Sequence, residues 1–443
     1  MNSTGVKCEH SGLMNRHSTV HSEQPKGEVT VLVVARNFFS KVREMPLPRL
    51  LFVILLISLV TSGNAMQIIG LNFWLKRFNS SPGSFTTLAM SGLIFGLFFL
   101  CLLVGYVAVK RPCLKFVWCW KGIRLILGIG LMDMVNSSMS IYAANYTPEV
   151  LQALFTSLMP IYTCVLSKYI LADKRRYLNP WVVSSFVLMI IGVVVASISE
   201  FDDPTNSNMT SSIRWWSVIF FFSIPPTSLM NVWQTKYMTD FTIIREKEEV
   251  IVIDDYGDDT HPPRSHREEH HHLKGEDSIV KLVMLFGDTA SQFAFILLML
   301  PADAIPWWGG SSSVPDAWSN FSSGVNCLFT CNQNFAFCTV YSLGFVFTYI
   351  GGAYLNHYSA TLCCMIGQLS SPFTALLLIV IPSWNLNQGN TPWYYSVVAI
   401  VLLAVGTLLY SIWEEMNEVM QQEGKPNEIL KESFIRSDER ETS

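Results

Sequence analysis

The sequence predicts an all-α integral membrane protein with ten transmembrane helices in two inverted-topology five-helix repeats. Three observations predict it: an apolar composition, the number of apolar windows, and a segment that occurs twice. Of the 443 residues, 50% are hydrophobic and 14% are charged, whereas roughly 25% are charged in a typical soluble protein. One water-soluble core cannot bury so much apolar surface, so part of it must face lipid.

The ten helices are predicted from apolar windows of about 20 residues, the length that crosses a bilayer. The windows are 49–73, 85–108, 123–145, 149–171, 181–200, 214–236, 279–301, 335–355, 360–382 and 393–413. The first repeat covers 49–200, a lumenal loop and the sixth helix cover 201–236, and the last four helices cover 279–413 with a lumenal cysteine-bearing loop at 302–334.

The flanking segments are predicted to be cytosolic. Residues 1–48 form a tail in which Val31, Val34, Phe38 and Val42 recur at helical spacing, which indicates an amphipathic helix on the membrane surface. Residues 237–278 are rich in charge and histidine and are predicted to be disordered, and residues 414–443 form a second tail. A histidine run in this loop could bind a metal, but we expect a solvated linker.

The orientation follows from the basic residues. With the N-terminus in the cytosol, ten lysines and arginines flank the early helices on the cytosolic side, and three lie near helix ends on the other side. The glycosylation sequons at Asn79, Asn208 and Asn320 all fall on the non-cytosolic side, in agreement with that assignment.

The duplicated segment predicts the inverted repeat. Residues 142–160 read YAANYTPEVLQALFTSLMP, and 354–372 read YLNHYSATLCCMIGQLSSP, with tyrosines, hydroxyls and a terminal proline in register. The two copies lie five helices apart, an odd number, so the second repeat must enter the membrane from the opposite side. This arrangement is typical of secondary transporters, whose substrate binds near the midplane between the halves. Pro160 and Pro372 would kink their helices and serve as gates.

Polar side chains within the windows are the candidate site residues, because ionisable groups are costly in lipid. Asp133 and Asp288 are predicted to line the substrate or ion path, although a structural hydrogen-bond role is the alternative. The other candidates are amides and hydroxyls, which can equally hold helices together. These candidates are Asn64, Asn136, Gln152, Asn231, Gln292, Gln368, Ser370 and Ser371.

Other functional classes find little support in the sequence. It contains no nucleotide-binding G-x-x-x-x-G-K-[ST] loop, no H-E-x-x-H and no G-x-S-x-G. No basic stripe suggests nucleic acid as a partner. We therefore expect a monomeric protein that is not an enzyme, without cofactor or bound metal. Its partners would be the lipid bilayer, a small-molecule substrate and protons.

The stretch GLMDMVNSSMSIYAANYTPEVLQALFTSLMPIYTCVLSKYIL resembles the chloroquine-resistance-transporter-like family of the drug/metabolite transporter superfamily. Asp133, Gln152 and Pro160 match its pattern, as do SIPPTSLMN ending at Asn231, and Gln292 in the seventh helix. The S-S-P of the ninth helix and the cysteine-bearing lumenal loop also look like family positions. The resemblance, over roughly 50–415, implies ten helices and export of amino acids, short peptides, glutathione-like thiols or cationic drugs from a vacuolar or endolysosomal lumen, often proton-coupled.

Two departures from the family pattern concern chemistry. The eighth helix has Phe347 and Thr348 where the family carries an acid, so that position offers no carboxylate for proton coupling. The lumenal segment has three cysteines, Cys327, Cys331 and Cys338, so at most one internal disulfide can form. Beside the transporter, the alternative is a non-transporting scaffold or regulatory protein that acts through the cytosolic loop.

Overall fold

The computed structural model describes residues 46–78, 83–112, 114–171, 177, 179–201, 207–255, 278–358, 360–386, 393–413 and 416. Within these residues the protein is all-α, with helices joined by turns and three short 3₁₀ segments. For residues 49, 198–201, 207–214, 243–255, 353–358, 360–365 and 368–369 only the backbone is described. The predicted amphipathic helix at 31–43, the histidine run and the C-terminal tail lie outside the described residues.

Thirteen helices are described, most of them formed by apolar runs. They are α1 (Leu47–Leu75), α2 (Ser84–Lys110), α3 (Trp120–Ala144), α4 (Glu149–Thr156), α5 (Met159–Ile170), α6 (Pro180–Phe201), α7 (Ser207–Phe222), α8 (Ile224–Asp255), α9 (Ser278–Leu298), α10 (Val314–Thr330), α11 (Asn334–Tyr358), α12 (Ala360–Val380) and α13 (Trp393–Trp413).

Eight spans among the described residues are long and apolar enough to cross a membrane. The chain is therefore a multi-pass membrane protein, as its composition predicts. Two of the ten predicted windows differ. The window 214–236 is not one straight helix, because a turn at Ser223 separates α7 from α8. In the window 360–382, the described apolar stretch is the shorter Ser370–Val380.

The fourth window is interrupted at its middle. α4 ends at Thr156 and α5 begins at Met159, with a turn at 157–158 between them. Pro160 thus lies in the first turn of α5, where its missing N–H breaks no hydrogen bond. Pro372 instead lies inside the continuous helix α12. The two matched prolines therefore occupy different local structures.

The prediction of an irregular cytosolic segment from residue 237 is wrong for its first part. Helix α8 continues to Asp255. Residues 245–249 read REKEE, and arginine, lysine and glutamate are strong helix formers outside the membrane too. On the surface of α8, Asp240 forms an ion pair with Lys121 of α3 at 2.9 Å.

Glycines allow close approach between particular helices. A Cβ added at Gly63 would lie 2.6 Å from the Gly344 carbonyl oxygen, and one added at Gly344 would lie 2.8 Å from that of Gly63. These glycines join α1 to α11, and Gly130 brings α3 equally close to α9. Small residues at helix contacts are how membrane helices pack without a hydrophobic driving force.

The helices pack in pairs. α1 contacts α11 and α12, while α8 contacts α3 and α5. α2 packs against α9, and α4 packs against α12. Helix α3 also packs on α9, and α2 touches α11. Helices from the first and second halves of the chain thus alternate around the molecule.

Candidate functional site

A cavity of about 550 Å³ lies between helices of both halves of the chain. Its wall combines amide and hydroxyl side chains with apolar ones, and none of its described lining residues carries a charge. The polar members from the first half are Asn64, Gln67, Thr156, Thr163, Ser167 and Tyr177, and those from the rest of the chain are Asn231, Thr348, Ser371 and Tyr410.

Hydrogen bonds across the cavity wall connect the helices. The Asn64 amide donates to Ser370 Oγ at 2.6 Å, which joins α1 to α12. Gln67 donates to Thr348 Oγ1 at 2.9 Å, which joins α1 to α11. The hydroxyls of Thr156 and Ser371 lie 2.8 Å apart between α4 and α12. The wall is therefore built from polar contacts that a solute could replace one by one.

Of the predicted residues that line the cavity, Asn231 is the one whose side-chain amide has the weakest hydrogen-bond partner. Its Nδ2 lies 3.4 Å from the sulfur of Met159, a weak acceptor. Pro160 lines the cavity beside Met159, at the start of α5. Asn231 could thus exchange a poor hydrogen bond for a good one with a bound solute.

The two predicted acids form a second cluster beside the cavity. Asp133 of α3 and Asp288 of α9 are close enough for their charges to interact. Asp133 accepts hydrogen bonds from Ser137 at 3.3 Å and from Asn136. Gln292 of α9 donates to Ser137 at 2.9 Å. The structure thus joins residues of two segments that are far apart in sequence, 133–137 of α3 and 288–292 of α9, in one polar network.

Asp288 has a further partner on α8. Gln234 Nε2 donates to Asp288 Oδ2 at 2.8 Å, while Oδ1 has no hydrogen-bond partner among the described residues. Neither Asp133 nor Asp288 lines the cavity described above. The two acids therefore form a polar cluster separate from the residues that line this cavity.

Gln152 has a structural position. It is 1% exposed and donates to the backbone carbonyls of Thr147 at 2.7 Å and Ala144 at 3.2 Å. These carbonyls belong to the end of α3 and the turn after it, so Gln152 caps that helix. It also exchanges hydrogen bonds with Asn72 of α1. Gln152 was predicted to line the cavity, but its amide instead holds the first copy of the duplicated segment in place.

Polar contacts around Glu149, called the clamp here, join helix ends far from Ser167 and Tyr177 of the cavity. The Glu149 carboxylate, which is fully buried, accepts from the Leu386 backbone N–H at 2.9 Å. Lys76 donates to the carbonyl oxygen of the same residue at 2.7 Å. Partial burial lowers the pKa of Lys76, and the nearby Glu149 charge offsets part of this change. The clamp connects α1, α4 and the segment after α12.

A second closure lies at the same end. Asp303 is buried and accepts hydrogen bonds from the Tyr142 hydroxyl at 2.7 Å and from Ser311 at 2.6 Å. The Tyr142 ring stacks on Trp308 with centroids 5.2 Å apart. These contacts attach the end of α3 to the loop after α9.

The remaining predicted residues lie elsewhere. Gln368 is in α12, but its side chain is outside the described part, as are Asn79 and the side chain of Asn208. Asn320 is half-buried in α10 and donates from Nδ2 to Ser311 at 2.9 Å. Since Nδ2 is the atom that a glycan would occupy, glycosylation there would replace this bond.

The three cysteines of the segment that is predicted to be lumenal divide into a pair and a single residue. Cys327 and Cys331 form a disulfide at the end of α10. Cys338 is buried in α11 and keeps a free thiol. The disulfide holds the turn that leads from α10 into α11.

Sequence reasoning missed four residues that now have defined contacts. Glu149 was assigned to a helix end and Asp303 to a loop, although both are buried. Gln234 lies within two residues of the predicted end of a window, and Gln67 lies inside the first window but is not among the candidates. Counting every polar residue within one turn of a window boundary would have found three of them.

The position that matches Asp133 in the second copy is Phe345, 212 residues later. Its ring stacks on Phe95 of α2 with centroids 3.9 Å apart and meets Phe99 edge-on. The contact between α3 and α9 thus contains two acids, whereas the contact between α2 and α11 contains an aromatic stack.

Comparisons with known proteins leave the function open. No family model matches the chain, and no curated protein matches it. A solved structure described only as "Crystal structure of protein" is similar at a TM-score of 0.36 and 13% identity, over 80% of this chain and 96% of that chain. A similarity at this TM-score gives no information on the function of the chain.

Proposed function

We propose that the protein is a secondary active transporter that moves small polar solutes by alternating access, with transport coupled to protons. The observation that carries the proposal is the cavity of about 550 Å³ between helices of both halves of the chain. Sites for small molecules in proteins usually have volumes of about 300–1,000 Å³ and combine apolar walls with a few polar groups. The cavity meets both criteria.

The cavity wall also suggests the substrate class. Amides and hydroxyls without a charged partner suit an uncharged or zwitterionic solute, because a net charge in a low-dielectric site needs a counter-charge. Amino acids and short peptides without net charge are therefore better candidates than cationic drugs or glutathione-like thiols, which carry a net charge. The resemblance noted in the sequence points to the same solutes.

The helix contacts support ten spans in two inverted repeats. In such a repeat, each helix contact should recur when every helix is replaced by the one five spans away. The contact of α1 with α11 becomes that of α8 with α3, and α1 with α12 becomes α8 with α5. The contacts of α2 with α9 and of α4 with α12 map onto themselves. The two mapped contacts, α8 with α3 and α8 with α5, both occur, whereas the contact of α11 with α12 has no counterpart of similar extent between α3 and α4 or α5.

The conformation fits a cytosol-open state. The cavity extends from Asn64 and Thr156 to Ser167, Tyr177 and Tyr410, which lie at helix ends predicted to be cytosolic. The Glu149 and Asp303 closures lie at the opposite ends. The break before α5 and Pro372 in α12 are the points where the helices could bend to reverse this access.

Proton coupling is assigned to the Asp133–Asp288 pair. Two carboxylates that share a buried site disfavour each other's charge, so a proton can bind there when the lumen is acidic. A monomer in a vacuolar or endolysosomal membrane, with both termini in the cytosol, would export lumenal solute toward the cytosol along the proton gradient.

The proposal is tested by counterflow of labelled amino acids, short peptides and glutathione into proteoliposomes, with and without a pH gradient. We expect uptake of at least one class, lost in Asn231→Leu at the cavity. Asp133→Asn should abolish or uncouple transport without reducing expression, while the surface variant Asp240→Asn should behave as wild type. Absence of any uptake would contradict the proposal, and unchanged pH dependence in Asp133→Asn would contradict the role of the acid.

A further inference from the structure

We propose that the network around Asp133 and Asp288 is a site for a monovalent metal cation, sodium, which competes there with the proton. The inference rests on the proposed transporter and names a second coupling ion for its acidic pair. Sodium would act as a transported ion, and not as a resident cofactor.

Two unpartnered atoms carry the inference. Asp288 is 4% exposed, and its Oδ1 has no hydrogen-bond donor among the described residues. Gln292 is 5% exposed, and its Oε1 is likewise without a donor there. Both atoms are acceptors, and a buried acceptor without a partner costs about 1–3 kcal/mol. A bound cation would satisfy both at once.

The candidate ligands are side-chain oxygen atoms, which are hard ligands, on the adjacent helices α3 and α9. The Asp133 carboxylate is linked through Ser137 to Gln292, which extends from α9 toward α3. Asp288 lies one helical turn before Gln292 on the same face of α9, so two carboxylates, an amide and a hydroxyl belong to one network, and oxygen ligands of this kind suit hard cations. Coupling-ion sites in transporters are built from such oxygens near the contact between repeats.

The charge balance calls for a cation. Among the described residues, neither acid has an ion-pair partner. Besides Asp288, Tyr341 of α11 is a titratable group near Asp133 on another helix, and it supplies no positive charge. Gln234 donates a hydrogen bond to Asp288, but its amide is uncharged and does not neutralise the carboxylate. Negative charge at membrane depth costs several kcal/mol when it is uncompensated.

The packing selects a small inorganic ion. At Gly130 the helices are so close that an added Cβ would lie 2.8 Å from the Gln292 backbone nitrogen. An organic amine does not fit between helices at this spacing, and the acids do not line the solute cavity. A divalent ion held by two carboxylates would leave too slowly for a coupling ion, which must be released in every cycle. Asp133 is only half-buried, which leaves a route for entry.

The test measures binding of radioactive sodium to the purified full-length protein in detergent at alkaline pH. We expect saturable binding that weakens as the pH falls. Asp288→Asn and Gln292→Leu should weaken it at least about tenfold, a change of about 1.4 kcal/mol. Gln292→Glu adds a negative ligand and should tighten it, and Asp240→Asn is the matched control. Elution as a single species on gel filtration shows that each variant is folded.

Each outcome decides the proposal. Absence of saturable binding to the folded wild-type protein would overturn it, as would binding that neither site variant alters. Displacement of sodium by calcium at lower concentration would overturn the choice of ion. Because binding is measured without transport, sodium binding in a protein that fails the counterflow assay would support the ion site and contradict only the transporter.

Discussion

Replacement of Gly130 by alanine tests how the acidic network is assembled. The new Cβ would lie 2.8 Å from the Gln292 backbone nitrogen and 2.9 Å from the Asp288 carbonyl oxygen, below the 3.4 Å at which ordinary contact begins. The Cβ would also meet the Ser291 hydroxyl, which can rotate away, but the Gln292 nitrogen and the Asp288 oxygen are backbone atoms, so α9 must move as a unit away from α3. Overpacking of this kind costs typically about 1–3 kcal/mol.

The matched control is Gly105→Ala in α2, where an added Cβ meets nothing within 4 Å. Both variants share the helix-propensity gain of alanine over glycine, about 1 kcal/mol in soluble hosts. The difference between them therefore isolates the packing cost, and Gly130→Ala should be less stable by about 1–3 kcal/mol. Thermal unfolding of the purified proteins measures this difference.

The same substitution should impair coupling. Movement of α9 lengthens the 2.9 Å hydrogen bond between Gln292 and Ser137, which spans the two helices. Counterflow driven by a pH gradient should fall in Gly130→Ala and not in Gly105→Ala. If the two variants unfold at the same temperature and transport equally well, the close contact between α3 and α9 is not what assembles the acid pair.

Two further predictions concern the closure and the cytosolic loop. Tyr142→Phe removes a hydrogen-bond donor from the buried Asp303 carboxylate and should destabilise the protein by about 1.5–3 kcal/mol, since the bond is to a charged group. The control is Tyr169→Phe, because Tyr169 is 81% exposed. Equal unfolding temperatures of the two variants would contradict the prediction. Deletion of 256–277 should leave counterflow unchanged in a transporter; loss of transport in the folded deletion variant would favour the alternative of a protein that acts through this loop.

The sequence predicts the fold class well because hydropathy reports directly on which residues face lipid. It predicts interruptions less well. The turn at Ser223 lies inside an apolar run, so no change in hydropathy marks it. The extension of α8 to Asp255 was missed for the opposite reason, because the end of an apolar window marks the membrane surface and not the end of the helix.

Individual site residues were easier to predict than their roles. Asp133 and Asp288 attract notice because acids are rare in apolar windows, but nothing in the sequence indicates that α3 and α9 bring them together. Gln152 was expected in the cavity, whereas it caps the helix that ends at Ala144. The difference arises because the buried backbone carbonyls of this hairpin need hydrogen-bond donors, and the Gln152 amide donates to them and not to a substrate.

The stack of Phe345 on Phe95 bears on the electrical behaviour of the protein. Two matched acid sites would carry two cations in each cycle, while a single site beside an aromatic stack carries one. Transport of a neutral solute with one cation moves one positive charge across the membrane. A potential of 100 mV would then contribute about 2.3 kcal/mol to each cycle. Voltage, and not only pH, would thus set how far the solute is concentrated.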